Sequence, residues 1–148
     1  MYGFVQDVLA DKGGQVFTAT SRMNVRDAVR SMNEHGVGAL LVVDGSHVAG
    51  IFTERDVLRR VVDEGRAPGL TSVGQVMTRD VCCVPAMFSV SDAMALMLER
   101  RFRHLLVVDA EGVIGMVSIG DLLRRVSRAQ EEHIGQLVEY IRGAPASG

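Results

Sequence analysis

Two four-residue stretches in this chain combine residue types that can do chemistry. Thr53-Glu54-Arg55-Asp56 and Ser118-Ile119-Gly120-Asp121 each place a carboxylate three residues after a hydroxyl. Each follows a glycine and two apolar residues, Gly50-Ile51-Phe52 or Gly115-Met116-Val117, and so sits where a strand runs into a helix. Two uses fit that spacing. As a capping box, the hydroxyl accepts from the N3 backbone N–H and the N3 acid reaches back to the N-cap N–H, although Glu is commoner than Asp at N3. As a binding site, the helix start offers N–H groups and positive dipole charge to a phosphate, with the hydroxyl as a further donor. The Asp one turn inside then accepts hydrogen bonds from the vicinal hydroxyls of a ribose. Spacing leaves both uses open, because a duplication copies caps as faithfully as sites.

The two stretches recur because the chain is internally repeated. Residues 16–61 and 81–126 align at a constant offset of 65 without a gap, and 18 of the 46 paired positions are identical. LLVVDGSHVAGIFTERDVLRRV in the first copy faces LLVVDAEGVIGMVSIGDLLRRV in the second. A repeat of this kind fixes the architecture and places ligand sites in pairs.

Each copy predicts the same elements in the same order. A short extended run, Val16 to Ala19 or Val81 to Val84, is rich in β-formers. A helix follows, from Val25 to His35 or Val90 to Arg101. Its apolar residues Val25, Ala28, Val29 and Met32, like Val90, Ala93, Met94 and Met97, recur at three and four. Asn24 and Ser89 stand at N-cap positions, with Asp27 and Asp92 in the first turn, where the helix dipole favours them. Central strands Leu40 to Val43 and Leu105 to Val108 turn back into Val48 to Thr53 and Val113 to Ser118. A second helix then carries Val57, Leu58, Val61 and Val62, or Leu122, Leu123 and Val126. The fold class is therefore α/β (α+β), two β-α-β-β-α units. Strands apolar on both faces cannot be covered by two helices alone, so the units are expected to pack sheet against sheet.

The expected boundaries are 1–71 for the first copy with its N-terminal segment and linker, 72–128 for the second, and 129–148 for a C-terminal amphipathic helix and tail. The linker Glu64 to Ser72 suits a surface connection. Ser127 to Arg142 carries Ile134, Leu137, Val138 and Ile141 on one stripe, which either packs back on its own domain or forms a homodimer seam. The final GAPASG is expected to be disordered.

Composition narrows the function. A chain of 148 residues that is 47% hydrophobic but only 5% aromatic has an aliphatic α/β core. A net charge of −2 argues against nucleic acid as a partner. The pairs Arg59-Arg60 and Arg124-Arg125 read as solvated helix faces. No apolar run approaches the ~20 residues that span a membrane, and MYGFVQDVLADKGG has neither the basic nor the apolar region of a signal peptide. Cys82 and Cys83 are neighbours, unsuited to bridging each other, and imply a reducing, cytoplasmic setting. The four histidines lack ligand spacing, so no metal is expected.

The pattern G-h-h-[ST]-x-x-D after LLVVD, present twice, with VGQVMT opening the second copy, resembles a pair of cystathionine β-synthase (CBS) domains. The resemblance runs from about Phe4 to Arg128 and is nearest to small standalone bacterial CBS-pair proteins, which open with a similar VxDVLxxKGG segment. It implies a pseudo-twofold pair with two clefts between the repeats, which commonly take AMP, ADP, ATP, S-adenosylmethionine or NAD(H). It implies that Asp56 and Asp121 each hold a ribose, with Thr53 and Ser118 on ribose or phosphate. Val37-Gly38-Ala39 and Phe102-Arg103-His104 would line the clefts, and Phe17 and Cys82 would touch the adenine through backbone and apolar surface. A homodimer is also implied. The chain departs from the pattern at Leu41 and Leu106, where many members have proline.

The two sites are not expected to be equivalent. Copy one has Gly36, Gly38 and Ala39 where copy two has Arg101, Arg103 and His104. Small residues leave room for a ring, and guanidinium forks bind phosphate, so Arg103, with His104, is the expected phosphate discriminator. Neither a nucleophile–base pair nor a Gly-rich phosphate loop supports an enzyme. A regulatory, non-catalytic module that binds an adenosine ligand and acts on an unidentified effector protein is the expected function. The alternative is a protein-interaction scaffold whose boxes are only caps.

Overall fold

A computed structural model describes residues 2–141; Arg142 and the expected disordered tail lie outside the described residues. The elements run α1 (Val5–Lys12), β1 (Thr18–Ala19), α2 (Val25–His35), β2 (Ala39–Asp44), β3 (His47–Thr53), α3 (Glu54–Asp56), a π-helical stretch (Val57–Val62) and a 3₁₀ turn (Pro68–Leu70). They continue as α4 (Val73–Val76), β4 (Cys83–Pro85), α5 (Val90–Arg100), β5 (His104–Asp109), β6 (Gly112–Ser118) and α6 (Ile119–Ile141).

The helices begin where their caps dictate. Asn24 is extended, and its side-chain oxygen accepts from Asp27 N at 2.9 Å; Ser89 does the same for Asp92 N at 3.0 Å. Val25, Ala28 and Met32 of α2, and Val90, Ala93 and Met97 of α5, are the buried stripes. α2 stops at Gly36 in the left-handed region, φ 63°. The same repeat position in α5 is Arg101, at φ 59°, where a side chain costs about 1–2 kcal/mol.

Two three-stranded sheets form, ordered β1-β2-β3 and β4-β5-β6, each with a parallel first pair and an antiparallel second pair. The register shifts at equivalent places, between Val42 and Val43 and between Val107 and Val108. The second helices depart from expectation. Leu58 and Val62 are 63% and 64% exposed, and only Val61 of that stretch is fully inside. The stretch winds as a π-helix, so a 3.6-residue reading misplaces its inward face.

The compact units divide the chain differently from the repeats. One compact unit is Gln15–Val81; the other joins Met1–Gly14 to Cys82–Gly148. The leading segment of each repeat is therefore built into the other unit. Val5, Val8 and Leu9 of α1 share a core with Val117 and Leu122, while Val73, Val76 and Met77 share one with Phe52 and Val61. Backbone bonds fix α1 there, Val5 N to Phe88 O at 2.8 Å and Gln6 N to Ala86 O at 3.0 Å. Chain adjacency places each segment with the repeat it precedes, because its apolar residues say only that they are covered and not by which unit.

These exchanged segments explain the motif glycines. A Cβ on Gly50 would collide with the Thr78 backbone carbonyl, and one on Gly115 would lie 2.5 Å from a Leu9 methyl. The carbonyl is held in a bridge to Ile51, with both N–H···O distances 2.8 Å, whereas the leucine side chain can rotate. Gly50→Ala should therefore lose more stability than Gly115→Ala, by about 1–3 kcal/mol, as read by urea unfolding. Equal losses would contradict this account.

Candidate functional site

In the Gln15–Val81 unit, antiparallel register sets Ala39 opposite Thr53 at one end of the sheet. The Gly38 carbonyl accepts from Glu54 N at 3.1 Å, and the Phe17 carbonyl from Leu41 N at 3.0 Å. Phe17, Gly38, Ala39, Thr53 and Asp56 thus gather at one end, as the sequence anticipates; Val37 is half-buried beside them. The Phe17 ring stacks on His35, 3.9 Å between centroids. Asp56 is 4% exposed. Its Oδ2 accepts from Thr53 N at 3.0 Å and Thr53 Oγ1 at 3.2 Å, and Asp56 N reaches Thr53 Oγ1 at 3.3 Å. The capping box is formed. The other oxygen, Oδ1, accepts from Thr78 Oγ1 at 2.9 Å and lies 3.8 Å from Arg60 Nε.

The Cys82-containing unit repeats the plan with different chemistry. His104 stands opposite Ser118, Ile119 N donates to the Arg103 carbonyl at 3.0 Å, and Leu106 N to that of Cys82 at 2.9 Å. Phe102 is half-buried on the same core. A proline at position 41 or 106 would lack the donor, so the leucines here tie up one lone pair on the Phe17 and Cys82 carbonyls. Asp121 is 7% exposed. Its Oδ2 accepts from Ser118 N at 2.8 Å and from Lys12 Nζ at 2.7 Å, its Oδ1 from Arg124 Nη2, and its own N–H reaches Ser118 Oγ at 3.1 Å. Lys12 also donates to the Met116 carbonyl at 3.0 Å.

Lys12 and Thr78 are residues that the sequence reading does not assign to the site. Both come from the exchanged segments, and Lys12 pairs across 109 positions of chain. The available signal is compositional: Lys12 is the sole lysine of the chain. A third unassigned residue is Glu54, whose carboxylate packs against Gly38, 3.0 Å from where a Cβ would stand. A cavity of about 190 Å³ opens beside Asp121, lined by Val8, Asp11, Lys12, Asp121, Arg124, Arg125 and Arg128. Asp11 pairs with Arg125 at 3.0 Å and Arg128 at 3.5 Å. Of the expected site residues it includes Asp121 alone. Among the described residues no group of His, Cys, Asp and Glu is arranged to hold a metal ion.

Burial alone would raise the Asp121 carboxyl; hydrogen bonds from Lys12 and Ser118 outweigh it and hold the group below its usual range. Removing Lys12 leaves a buried charge short of a partner, so Lys12→Met should cost about 1–3 kcal/mol, against under about 1 for Arg124→Ala, whose side chain is 71% exposed. A larger loss for Arg124→Ala in chemical denaturation would refute the assignment.

His104 is pushed down to about 4, chiefly by burial, with Asp121 pulling it up and Lys12 and Arg103 pushing it down. It is therefore neutral at pH 7 and adds no charge to the site. Because the unfolded imidazole titrates near 6.5, folding stability is full above that pH. It falls, by at most about 3 kcal/mol, between pH 6.5 and 4. His104→Gln should flatten that stretch of the stability–pH curve; an unchanged slope would remove His104 as its source.

The comparisons with known proteins agree with the two-repeat fold. The model of the CBS domain family matches residues 5–63 and 73–128. The chain is 41% identical to the CBS domain-containing protein CBSX3, mitochondrial, of Arabidopsis thaliana, over 94% of this chain and 72% of that protein. It is 32% identical to the CBS domain-containing protein YhcV of Bacillus subtilis, over 86% and 89%. The solved structure of a protein with CBS domains from Burkholderia ambifaria superposes with a TM-score of 0.79 at 45% identity, covering 83% of this chain and 93% of that one. With both copies matched and relatives of this similarity aligned over most of their length, the chain belongs to the CBS domain family.

Proposed function

We propose that the chain is a non-catalytic sensor that binds adenosine ligands (AMP, ADP, ATP or NAD(H)) at the Asp56 and Asp121 ends of its two sheets. The ligand changes conformation or assembly, and a homodimer passes the change to an effector protein in the cytoplasm. The observation that carries the reading is the repeated grouping at one end of each sheet: a buried carboxylate, a hydroxyl at a helix start, and the backbone of the central-strand entry. This is the donor and acceptor set a ribose and a phosphate require. The Burkholderia ambifaria relative is described in terms of signal transduction, which supports the regulatory part. Among the described residues no helix is long and apolar enough to cross a membrane.

The two ends favour different ligands. Glu54 against Gly38, with Arg60 3.8 Å from Asp56, leaves that end without an excess of positive charge and suits a nucleoside part with little phosphate. Arg103, Lys12 and Arg124 make the Asp121 end basic and suit a di- or triphosphate. The 190 Å³ cavity is too small for a nucleotide, as ligand pockets run to roughly 300–1,000 Å³. It has room for a phosphate group.

One observation favours the scaffold reading. Each carboxylate already has partners from its own chain on both oxygens, as a purely structural cap would. Calorimetric titration of AMP, ADP, ATP, NAD⁺, NADH and S-adenosylmethionine into ligand-stripped protein separates the two. Binding should disappear one site at a time with Asp56→Ala and Asp121→Ala, and Arg103→Ala should weaken ATP against adenosine roughly tenfold. Flat titrations throughout would leave the scaffold.

A further inference from the structure

Four of the chain's 16 basic side chains gather on one concavity. Lys12, Arg124, Arg125 and Arg128 line the cavity of about 190 Å³ between α1 and α6, all within the unit that joins Met1–Gly14 to Cys82–Gly148. Only two carboxylates, Asp11 and Asp121, line it with them. A protein of net charge −2 therefore carries a local surplus of two positive charges around a space with room for a small ion.

The surplus belongs to two particular arginines. Asp121 pairs with Lys12, 37% exposed, and with Arg124, 71% exposed; Asp11 pairs with Arg125, 29% exposed, and with Arg128, 58% exposed. The better-covered cation of each pair serves the fold, since Lys12 and Arg125 also donate to the Met116 and Tyr2 carbonyls. The open ones do not. Among the described residues Arg124 makes one hydrogen bond, and Arg128, 3.5 Å from Asp11, makes none. They stand four residues apart on α6, a spacing at which like charges repel unless an anion lies between them. The other repeat lacks this arrangement. At the offset of 65, Asp121 and Arg124 correspond to Asp56 and Arg59, but Asp11, Lys12 and Arg128 correspond to Val76, Met77 and Asp63. A capped carboxylate of this kind is thus satisfied at Asp56 without the extra charges, so capping does not account for them.

We infer that the cavity between α1 and α6 is a binding site for a phosphate-type oxyanion, held by the guanidinium forks of Arg124 and Arg128. Planar forks match the oxygens of a phosphate bidentately. A surplus of two charges matches the double negative charge that a phosphate approaches at neutral pH. Neither Ser118, Arg103 nor His104 lines the cavity, so the anion needs no nucleoside, and the inference goes beyond the reading above. A free phosphate and the phosphate end of a larger molecule share this chemistry.

Calorimetric titration of the nucleotide-free full chain with inorganic phosphate, pyrophosphate, ADP and adenosine tests it, in a buffer without phosphate or sulfate. Arg124→Gln and Arg128→Gln should each weaken pyrophosphate binding at least about tenfold. Their melting temperatures without anion should stay within a few degrees of the parent's, because both side chains are exposed. Arg59→Gln, the counterpart of Arg124 in the other repeat, should bind as the parent does. Pyrophosphate that binds as tightly as ADP supports a free anion as the occupant. ADP binding that falls with Arg128→Gln while pyrophosphate stays inert supports the same site filled by a phosphate that a nucleotide carries. If every phosphate compound that binds is indifferent to both substitutions, the inference is overturned, and ADP among them would leave the nucleotide reading standing. No binding of any phosphate compound up to about 10 mM, a few kcal/mol at most, also overturns it and makes the four cations a solvated helix face.

Discussion

An ionised carboxylate taken out of water must be given hydrogen-bond or charge partners, or the fold loses several kcal/mol. Asp56 and Asp121 impose that requirement at equivalent places, and much of each unit is arranged to meet it. The strand end supplies a backbone N–H, from Thr53 or Ser118. The exchanged segment supplies a further donor, the Thr78 hydroxyl in one unit and the Lys12 ammonium in the other. Gly50 and Gly115 let those segments come close enough to reach. The motif glycine and the motif aspartate are thus two parts of one device, one clearing the approach that the other needs.

The same requirement is met in two electrostatically different ways. At Asp56 the exchanged segment brings a hydroxyl, and the opposite charge comes from Arg60, 3.8 Å away on the following turn. An ammonium offsets the charge of Asp121, and Arg124 and Arg103 tip that end positive. Two carboxylates at equivalent places in the repeat are therefore partnered differently on one backbone plan.

Local features were legible in the sequence. The caps at Asn24 and Ser89, the stripes of α2 and α5, and the strand-to-helix junctions at Thr53 and Ser118 depend on residues within a turn or two of one another. What was not legible depends on distant chain. Lys12 looks like an ordinary helix-end cation until Asp121 is brought to it. Thr78 sits inside a recognisable VGQVMT without any local reason to matter. Leu58 and Val62 fit an α-helical stripe and are turned outwards by a π-turn that their periodicity does not announce. Arg101 takes the left-handed position that Gly36 fills in the other copy, and a cation at a helix end gives no local sign of it.

The exchange of leading segments also sets an order of events during synthesis. α1 leaves the ribosome first, but its apolar residues Val5, Val8 and Leu9 belong to a core whose other members are translated much later. The Lys12–Asp121 pair closes only after 109 further residues. At about 5–20 residues per second, α1 waits on the order of ten seconds with its greasy side uncovered. The first sheet, complete by Thr53, likewise waits for Thr78 before Asp56 has its full set of partners. Neither repeat is finished when its own sequence ends: the Gln15–Val81 unit closes on the segment that follows it, and the other unit keeps its first helix waiting for its last strand and helix.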